Sequence, residues 1–308
     1  CVSCFLFMLK SLALPLFILA SLLLTACDGD GHNPNIQLGG DDKPSHVVLP
    51  KNDLARLEMP ALKKDAHEIF VVHRTAPVRT GGDSVLNYAY AYDTSLYHTR
   101  WVAFRFDGDT RPRNVTRKAH TIRPQYPRDP KLPVQYALAD DLSFKGYDHG
   151  HLCASADRLY SREANDQTFY ISNMSPQDPQ FNQDYWSALE NHVQTLGRDP
   201  DFADTLYVVK GGTIYEPNVL RRITSQRLPV PKYYFMALLK VKNGTYSAIG
   251  FRLEHKDYGH KGSKQRMLQH VVSVAELQTL TGIDFFHNLP DAVEAAVERI
   301  ATPSAWKF

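Results

Sequence analysis

The chain is organised around the segment Tyr147-Asp148-His149-Gly150-His151-Leu152-Cys153-Ala154-Ser155-Ala156-Asp157-Arg158, which is followed downstream by Thr168-Phe169-Tyr170-Ile171-Ser172-Asn173-Met174-Ser175-Pro176-Gln177. The first segment places two histidines and an acid within four residues of a strand-like run. Imidazole and carboxylate groups can move a proton near neutral pH. The segment therefore predicts a site of acid–base chemistry on a strand.

A helical pattern follows this pair of segments. It opens at Phe181-Asn182-Gln183 and carries Trp186, Leu189, Val193 and Leu196 on its apolar side. On an α-helix, Asn182 and Glu190 would lie about 80° apart around the axis, so both can face one neighbour. We expect a histidine, an asparagine and a glutamate to converge there.

The three blocks together resemble a known family, the DNA/RNA non-specific endonucleases of the ββα-metal (His-Me finger) class, which includes mitochondrial endonuclease G and secreted bacterial nucleases. The family pattern is Asp-Arg-Gly-His, then Ser-Asn-x-x-Pro-Gln, then Asn and Glu eight residues apart. This chain has Asp148-His149-Gly150-His151, Ser172-Asn173-Met174-Ser175-Pro176-Gln177, and Asn182 with Glu190. The resemblance runs from about Tyr97 to about Asp291. It implies a metal-dependent, sequence-non-specific endonuclease that acts on DNA, RNA or both.

The resemblance also implies a role for each matched residue. His151 would be the general base, Asn182 the metal ligand, and Glu190 would act through a metal-bound water. One neutral amide ligand suits a hydrated hard ion, so Mg²⁺ is expected, with Mn²⁺ as the alternative. Asp148 would shape the motif, and Asn173 would orient the site by hydrogen bonds.

Two features concern phosphate contacts. The family uses an arginine upstream of the motif, for which Arg113 is the best match and Arg111 the competitor. The second feature is His149, which stands where the family has arginine. A histidine is only partly charged near neutrality, so its contact with phosphate should weaken as pH rises.

Residues 107–133 form a loop rich in basic residues and proline. It contains Arg111, Arg113, Arg117, Lys118, Arg123, Arg128 and Lys131 together with five prolines. It is interpreted as a basic rim that meets phosphates, because clustered arginines release counterions from a polyanion. The alternative is a solvated loop.

Other classes of function remain open at this point. His149, His151 and Cys153 alternate and could share one strand face as a zinc or copper site, although a fourth ligand is not obvious. Cys153 is more often simply a small buried residue. The non-enzymatic alternative is a catalytically weak nucleic-acid-binding envelope lipoprotein of the same fold, supported by His149 alone.

Residues 1–27 are typical of a signal peptide. Lys10 precedes an apolar run from Leu12 to Leu24, which is shorter than the roughly 20 residues that a transmembrane anchor, the alternative, would need. Leu24-Thr25-Ala26-Cys27 is similar to the bacterial lipoprotein signal, so Cys27 is expected to be lipidated, with translation starting at Met8.

Residues 28–50 are acidic and glycine-rich and predict a disordered tether. The expected location is the bacterial cell envelope, lipid-anchored to the membrane at its periplasmic or surface-exposed face.

Length, composition and charge indicate one large globular domain after residue 50. The chain has 308 residues, 43% of them hydrophobic, which is enough for a large core. Residues 1–27 carry a charge of +1 and residues 28–50 carry −3, so residues 51–308 carry +4 of the net +2. They are expected to form the endonuclease domain, with nucleic acid as its partner and a homodimer as a further candidate assembly.

The expected fold is α+β, with a central antiparallel sheet flanked by helices. Strand patterns cover 69–73, 88–92, 100–106 and 205–214, and a hairpin is expected about Asn243-Gly244. Helices are expected over 54–67, interrupted by Pro60, after Ser273 as far as Gly282, and from Pro290 onward.

Overall fold

The computed structural model describes residues 51–308. The predicted signal peptide over 1–27 and the predicted tether over 28–50 lie outside the described residues. Within 51–308, none of the helices has both the length and the apolar character needed to cross a bilayer.

A seven-stranded sheet forms the centre of the fold, and every pair of neighbouring strands in it is antiparallel. Its strands are β1 (Glu68–Thr75), β2 (Val85–Asp93), β3 (His98–Phe106), β6 (Thr205–Gly212), β9 (Tyr233–Lys242), β10 (Thr245–Glu254) and β11 (Val271–Val272), in the order β1-β2-β3-β6-β9-β10-β11. The predicted α+β fold with a central antiparallel sheet is confirmed.

Side-chain alternation along β2 shows how the sheet is buried on both faces. Tyr88, Tyr90 and Tyr92 point to one face and pack in one core cluster, whereas Ala89 and Ala91 point to the other and pack in a second. Successive residues of a strand face opposite sides, so this Tyr-Ala repeat gives a thick aromatic layer on one face only. The aromatic face carries the elements of the site.

Six α-helices flank the sheet within residues 51–308. They are α1 (Lys51–Leu54), α2 (Arg162–Gln167), α3 (Ser187–Arg198), α4 (Lys264–Met267), α5 (Val274–Thr281) and α6 (Asp291–Glu298). Helix α3 contributes Leu189, Val193 and Leu196 to the core on the aromatic face, whereas α5 contributes Val274 and Leu277 to the other core. The sheet therefore lies between two helical layers.

The predicted ends of α5 are confirmed. Ser273 Oγ accepts from the Glu276 amide at 3.2 Å, and the Glu276 carboxylate accepts from the Ser273 amide at 2.7 Å. This reciprocal capping box satisfies two amides at the start of the helix. Gly282 ends it with φ = 62°, a conformation that glycine adopts without strain.

The expected hairpin is also confirmed. Strands β9 and β10 pair over their full length around Asn243 and Gly244, whose φ angles are 49° and 72°. Positive φ at both positions is what a tight hairpin turn requires.

The helix predicted over 54–67 is wrong. Helix α1 ends at Leu54, and the chain beyond it is mostly irregular. Met59 is fully buried in the core, and the Ala61 amide donates to the Asp284 carbonyl at 2.9 Å. Pro60 cannot continue a helix, and these tertiary contacts satisfy the backbone instead.

Two small antiparallel pairs lie outside the main sheet. Strand β4 (Asp148–His151) pairs with β5 (Met174–Gln177), and β7 (Val219–Ile223) pairs with β8 (Leu228–Pro231). A Cβ atom at Gly150 would lie 2.2 Å from the Gln177 side chain, so only glycine lets β4 approach β5 this closely. The β7–β8 pair had no counterpart among the sequence predictions.

Candidate active site

Strand β4 and the first turns around α3 enclose a cavity of about 590 Å³ on the aromatic side of the sheet. We call it the His151 cavity. Its lining brings together five of the residues singled out from the sequence, namely Asp148, His149, His151, Asn182 and Glu190.

His151 is the last residue of β4 and lines this cavity. Its Nε2 atom is buried and has no hydrogen-bond partner among residues 51–308. Burial, and then the positive charges of Arg117 and Lys210, hold the pKa of His151 well below its ordinary value of 6.5. The imidazole is therefore neutral at neutral pH and can accept a proton.

Asn182 lies opposite, at the start of the helical region. Its Nδ2 donates to Asp148 Oδ2 at 2.9 Å, and Gln183 Nε2 donates to the same oxygen at 2.8 Å. An ionised carboxylate only accepts hydrogen bonds, so this contact fixes which end of the amide faces Asp148. Oδ1 is then the atom that Asn182 can offer to a cation.

The turn that carries Asn182 differs from the prediction of a continuous α-helix. Residues Phe181–Trp186 are π-helical, and α3 begins only at Ser187. A π-turn is wider than an α-turn and is frequent at functional sites. It changes the angle between Asn182 and Glu190, yet both residues line the His151 cavity as expected.

Glu190 forms an ion pair with a buried lysine, Lys210. Lys210 Nζ, on β6, lies 2.8 Å from Glu190 Oε1 and 3.1 Å from Asp157 Oδ2. Burial raises the pKa of Glu190, and the Lys210 charge opposes that shift. Burial lowers the pKa of Lys210, but the Asp157 and Glu190 carboxylates outweigh it and the net shift is upward.

Asn173 secures the chain just beyond β4. Its Oδ1 accepts from the Cys153 amide at 2.8 Å, while its Nδ2 donates to the carbonyls of Cys153 at 2.9 Å and Thr168 at 2.7 Å. The side chain is fully buried and lies outside the cavity lining. Cys153 is likewise fully buried, in the core cluster of the aromatic face.

His149 is clamped between two aromatic rings. Its ring lies 4.2 Å from that of Tyr126 and 4.3 Å from that of Phe144, and its Nε2 donates to the Leu142 carbonyl at 2.8 Å. Burial lowers its pKa, which favours the neutral ring. A ring held in this way carries no charge to a phosphate near neutral pH.

Three arginines of the basic loop occupy different environments. Arg111 donates to the carbonyls of Gly197 and Ala203 at the end of α3. Arg113 is exposed and outside the lining of the His151 cavity. Arg117 lines the cavity instead.

Arg117 and His151 both contact the ring of Phe169. Its guanidinium carbon lies 4.8 Å from the centre of the Phe169 ring, and His151 meets that ring edge-on at 5.0 Å. The structure therefore brings Arg117, and neither Arg113 nor Arg111, beside the imidazole.

The donor set fits a hydrated hard cation. Within residues 51–308, no three His, Cys, Asp or Glu side chains cluster closely enough to enclose a metal ion. Mg²⁺ is commonly bound through one or two protein oxygens while keeping several waters. Asn182 Oδ1 can serve as the direct oxygen ligand, and Glu190 can accept hydrogen bonds from the water shell.

The β4–β5 pair followed by α3, with a histidine on the strand and an asparagine on the helical turn, defines a ββα-metal unit. Residues 68–292 match the family model for the DNA/RNA non-specific endonucleases. The chain belongs to this family.

Curated relatives agree with this assignment. A nuclease of Nostoc sp. is 27% identical over 220 residues, which cover 68% of this chain and 75% of the relative. Mitochondrial endonuclease G of Caenorhabditis elegans is 31% identical over 191 residues, covering 57% and 58%. Mitochondrial nuclease EXOG of Danio rerio is 25% identical over 228 residues, covering 70% of this chain and 64% of the relative.

A chain from the crystal structure of the EndoG/EndoGI complex shares the fold. It matches with a TM-score of 0.54 at 20% identity, over 66% of this chain and 84% of that chain.

Two residues of the site had no individual role predicted from the sequence. Arg117 was one of several basic residues in a loop without periodicity, so nothing marked it as the one that reaches the cavity. Lys210 did leave a signal, because it interrupts the apolar run Leu206-Tyr207-Val208-Val209 at an inward-facing position of a strand. A lone lysine on the buried face of a strand requires charged partners.

Proposed function

We propose that this protein is a metal-dependent, sequence-non-specific endonuclease that hydrolyses phosphodiester bonds in DNA, RNA or both. The proposal rests on one observation above all. The neutral imidazole of His151, with its buried Nε2 unpartnered among the described residues, lines the same cavity as the amide of Asn182.

His151 removes a proton from the attacking water. A base must be neutral at the working pH, and burial together with the Arg117 and Lys210 charges keeps this imidazole so. Phe169 holds the ring edge-on and limits its rotation.

Asn182 and Glu190 hold the cation, which is expected to be Mg²⁺, with Mn²⁺ as a substitute. When bound, such an ion supplies positive charge to the phosphate oxygens. Asp148 keeps the Asn182 amide turned so that its oxygen is available.

Arg117 stabilises the charge that develops on the phosphate. It is the arginine of the basic loop that lines the His151 cavity, and the residue is exposed. A fixed cation aimed at developing charge is among the largest contributions to catalysis. His149, which is clamped and neutral, leaves this task to Arg117.

Incubation of the purified chain with supercoiled plasmid and, separately, with RNA tests the proposal. Nicking and degradation in Mg²⁺ that stop on addition of EDTA support it. Retardation of either polymer in a gel without any cleavage across Mg²⁺ and Mn²⁺ titrations contradicts it and favours the weak nucleic-acid-binding alternative.

We further propose that the enzyme is a lipoprotein of the bacterial cell envelope, anchored through Cys27. The support is the sequence Leu24-Thr25-Ala26-Cys27 after an apolar run, followed by an acidic, glycine-rich tether.

A further inference from the structure

Lys210 is a buried ammonium group on a strand whose neighbours are apolar. Its cross-strand partners are Val102 on β3 and Met236 on β9, and only 2% of its side chain is exposed. Removing an ammonium group from water is costly, so a buried lysine requires charged partners in good geometry. Its position on the central sheet makes it part of the rigid scaffold beneath the site.

The two partners of Lys210 differ in how firmly they are held. Asp157 also accepts from the Ala154 amide at 3.0 Å and from Gln194 Nε2 at 2.9 Å, so it is a fixed anchor. Glu190 accepts from Lys210 through Oε1 and lines the cavity, with 14% of its side chain exposed. Lys210 thus connects Asp157, whose carboxylate accepts three hydrogen bonds, to Glu190, which borders the cavity.

We propose that Lys210 is a positioning residue for the metal centre: it fixes Glu190 through Oε1, so that Oε2 is left to bind the water shell of the cation. This inference rests on the proposed function. It assigns to Lys210 an effect on cation affinity that is separate from its contribution to the stability of the fold.

Calorimetric titration of Mn²⁺ into the full chain carrying His151→Ala, without nucleic acid, isolates metal binding from turnover. Addition of Lys210→Met is expected to weaken Mn²⁺ binding by about tenfold or more, as is typical when a residue that orients a metal ligand is removed. The same change in a Glu190→Gln background should have no further effect on Mn²⁺ affinity, because Lys210 acts through that carboxylate.

Arg100→Met is the matched control. Arg100 is another buried cation of the same sheet, 3.1 Å from Glu68, and neither residue lines the His151 cavity. This variant should lower the melting temperature without changing Mn²⁺ affinity. If Lys210→Met does not fold, Asp157→Asn, which releases the anchor of Lys210, should weaken Mn²⁺ binding in the same direction.

If folded Lys210→Met binds Mn²⁺ with unchanged affinity, the role of Lys210 is overturned while the proposed function stands. The same holds for Asp157→Asn when that variant replaces it. An equal loss of affinity with and without Glu190 also overturns it, since the effect would then not pass through that residue. If the His151→Ala parent itself binds no Mn²⁺, the proposed metal centre is wrong, and the inference falls with it.

Discussion

Asp148 Oδ2 accepts a hydrogen bond from Asn182 Nδ2 over 2.9 Å, which orients an amide that could otherwise present either end to the cavity. The contact links the motif on β4 to the helical turn that carries Asn182, the proposed metal ligand. It gives Asp148, which precedes the two histidines of β4, a structural part in the site.

Asp148→Ala should therefore weaken cation binding while His151 stays in place. We expect the Mg²⁺ concentration for half-maximal cleavage to rise about tenfold, as for other residues that orient a metal ligand. Asn182→Ala, the direct comparison, should raise it further. A magnesium titration that is unchanged in Asp148→Ala would show that the hydrogen bond does not orient Asn182.

Arg117→Ala should slow cleavage far more than Arg113→Ala. Arg117 lines the cavity beside His151, whereas Arg113 is exposed outside its lining. Loss of a group that stabilises transition-state charge typically costs about 10²–10³ in kcat, and Arg113→Ala should cost little. Single-turnover rates on plasmid DNA measure both variants, and a larger loss for Arg113 would reverse the assignment.

The pH profile of cleavage should extend into the acid range. The folded-state pKa of His151 lies well below 6.5, because the imidazole is buried and lies near Arg117 and Lys210. Its neutral, active form is therefore present above that depressed pKa and is lost as pH falls through it. We expect kcat/KM to be flat as pH falls from 8 to 6.5 and to decline only at lower pH.

Arg117→Ala supplies an internal check on that profile. Removal of a positive charge near His151 should raise the pKa of the imidazole. The fall of kcat/KM on the acid side of the profile should therefore move to higher pH, even if the variant is slower at every pH. An acid limb at or above pH 7 in the parent protein is incompatible with a buried, neutral His151.

Cys27→Ala should abolish lipid attachment. The parent chain is expected to incorporate labelled palmitate and to sediment with membranes until detergent is added. The variant should be unlabelled, because it lacks the thiol that accepts the lipid. A parent chain that sediments with membranes without incorporating label would indicate a transmembrane anchor instead.

The sheet could be predicted because local pattern and tertiary burial agree there. Alternation of tyrosine with alanine in β2 and the Asn243-Gly244 turn each act over a few residues, and the structure retains both. The helix over 54–67 failed because long-range contacts to the segment near Asp284 outweigh local propensity. Pro60 within the segment already disfavoured a continuous helix there.

The site was predictable only in part, for a related reason. His151, Asn182 and Glu190 occur in short motifs with fixed spacing, so their convergence could be expected. Arg117 reaches the cavity from an irregular loop, and Lys210 contacts Glu190 from a distant strand. Neither residue has a fixed sequence spacing to the motif. The clamp on His149 depends likewise on Tyr126, which the loop brings back over β4.

The most direct test of the account is the rate at which His151→Ala cleaves supercoiled plasmid in saturating Mg²⁺, with plasmid binding measured alongside. We predict a loss of about 10²–10⁴ in rate with binding retained, because the substitution removes the general base and no phosphate contact. Cleavage at the parental rate would contradict the assignment of His151 as the base.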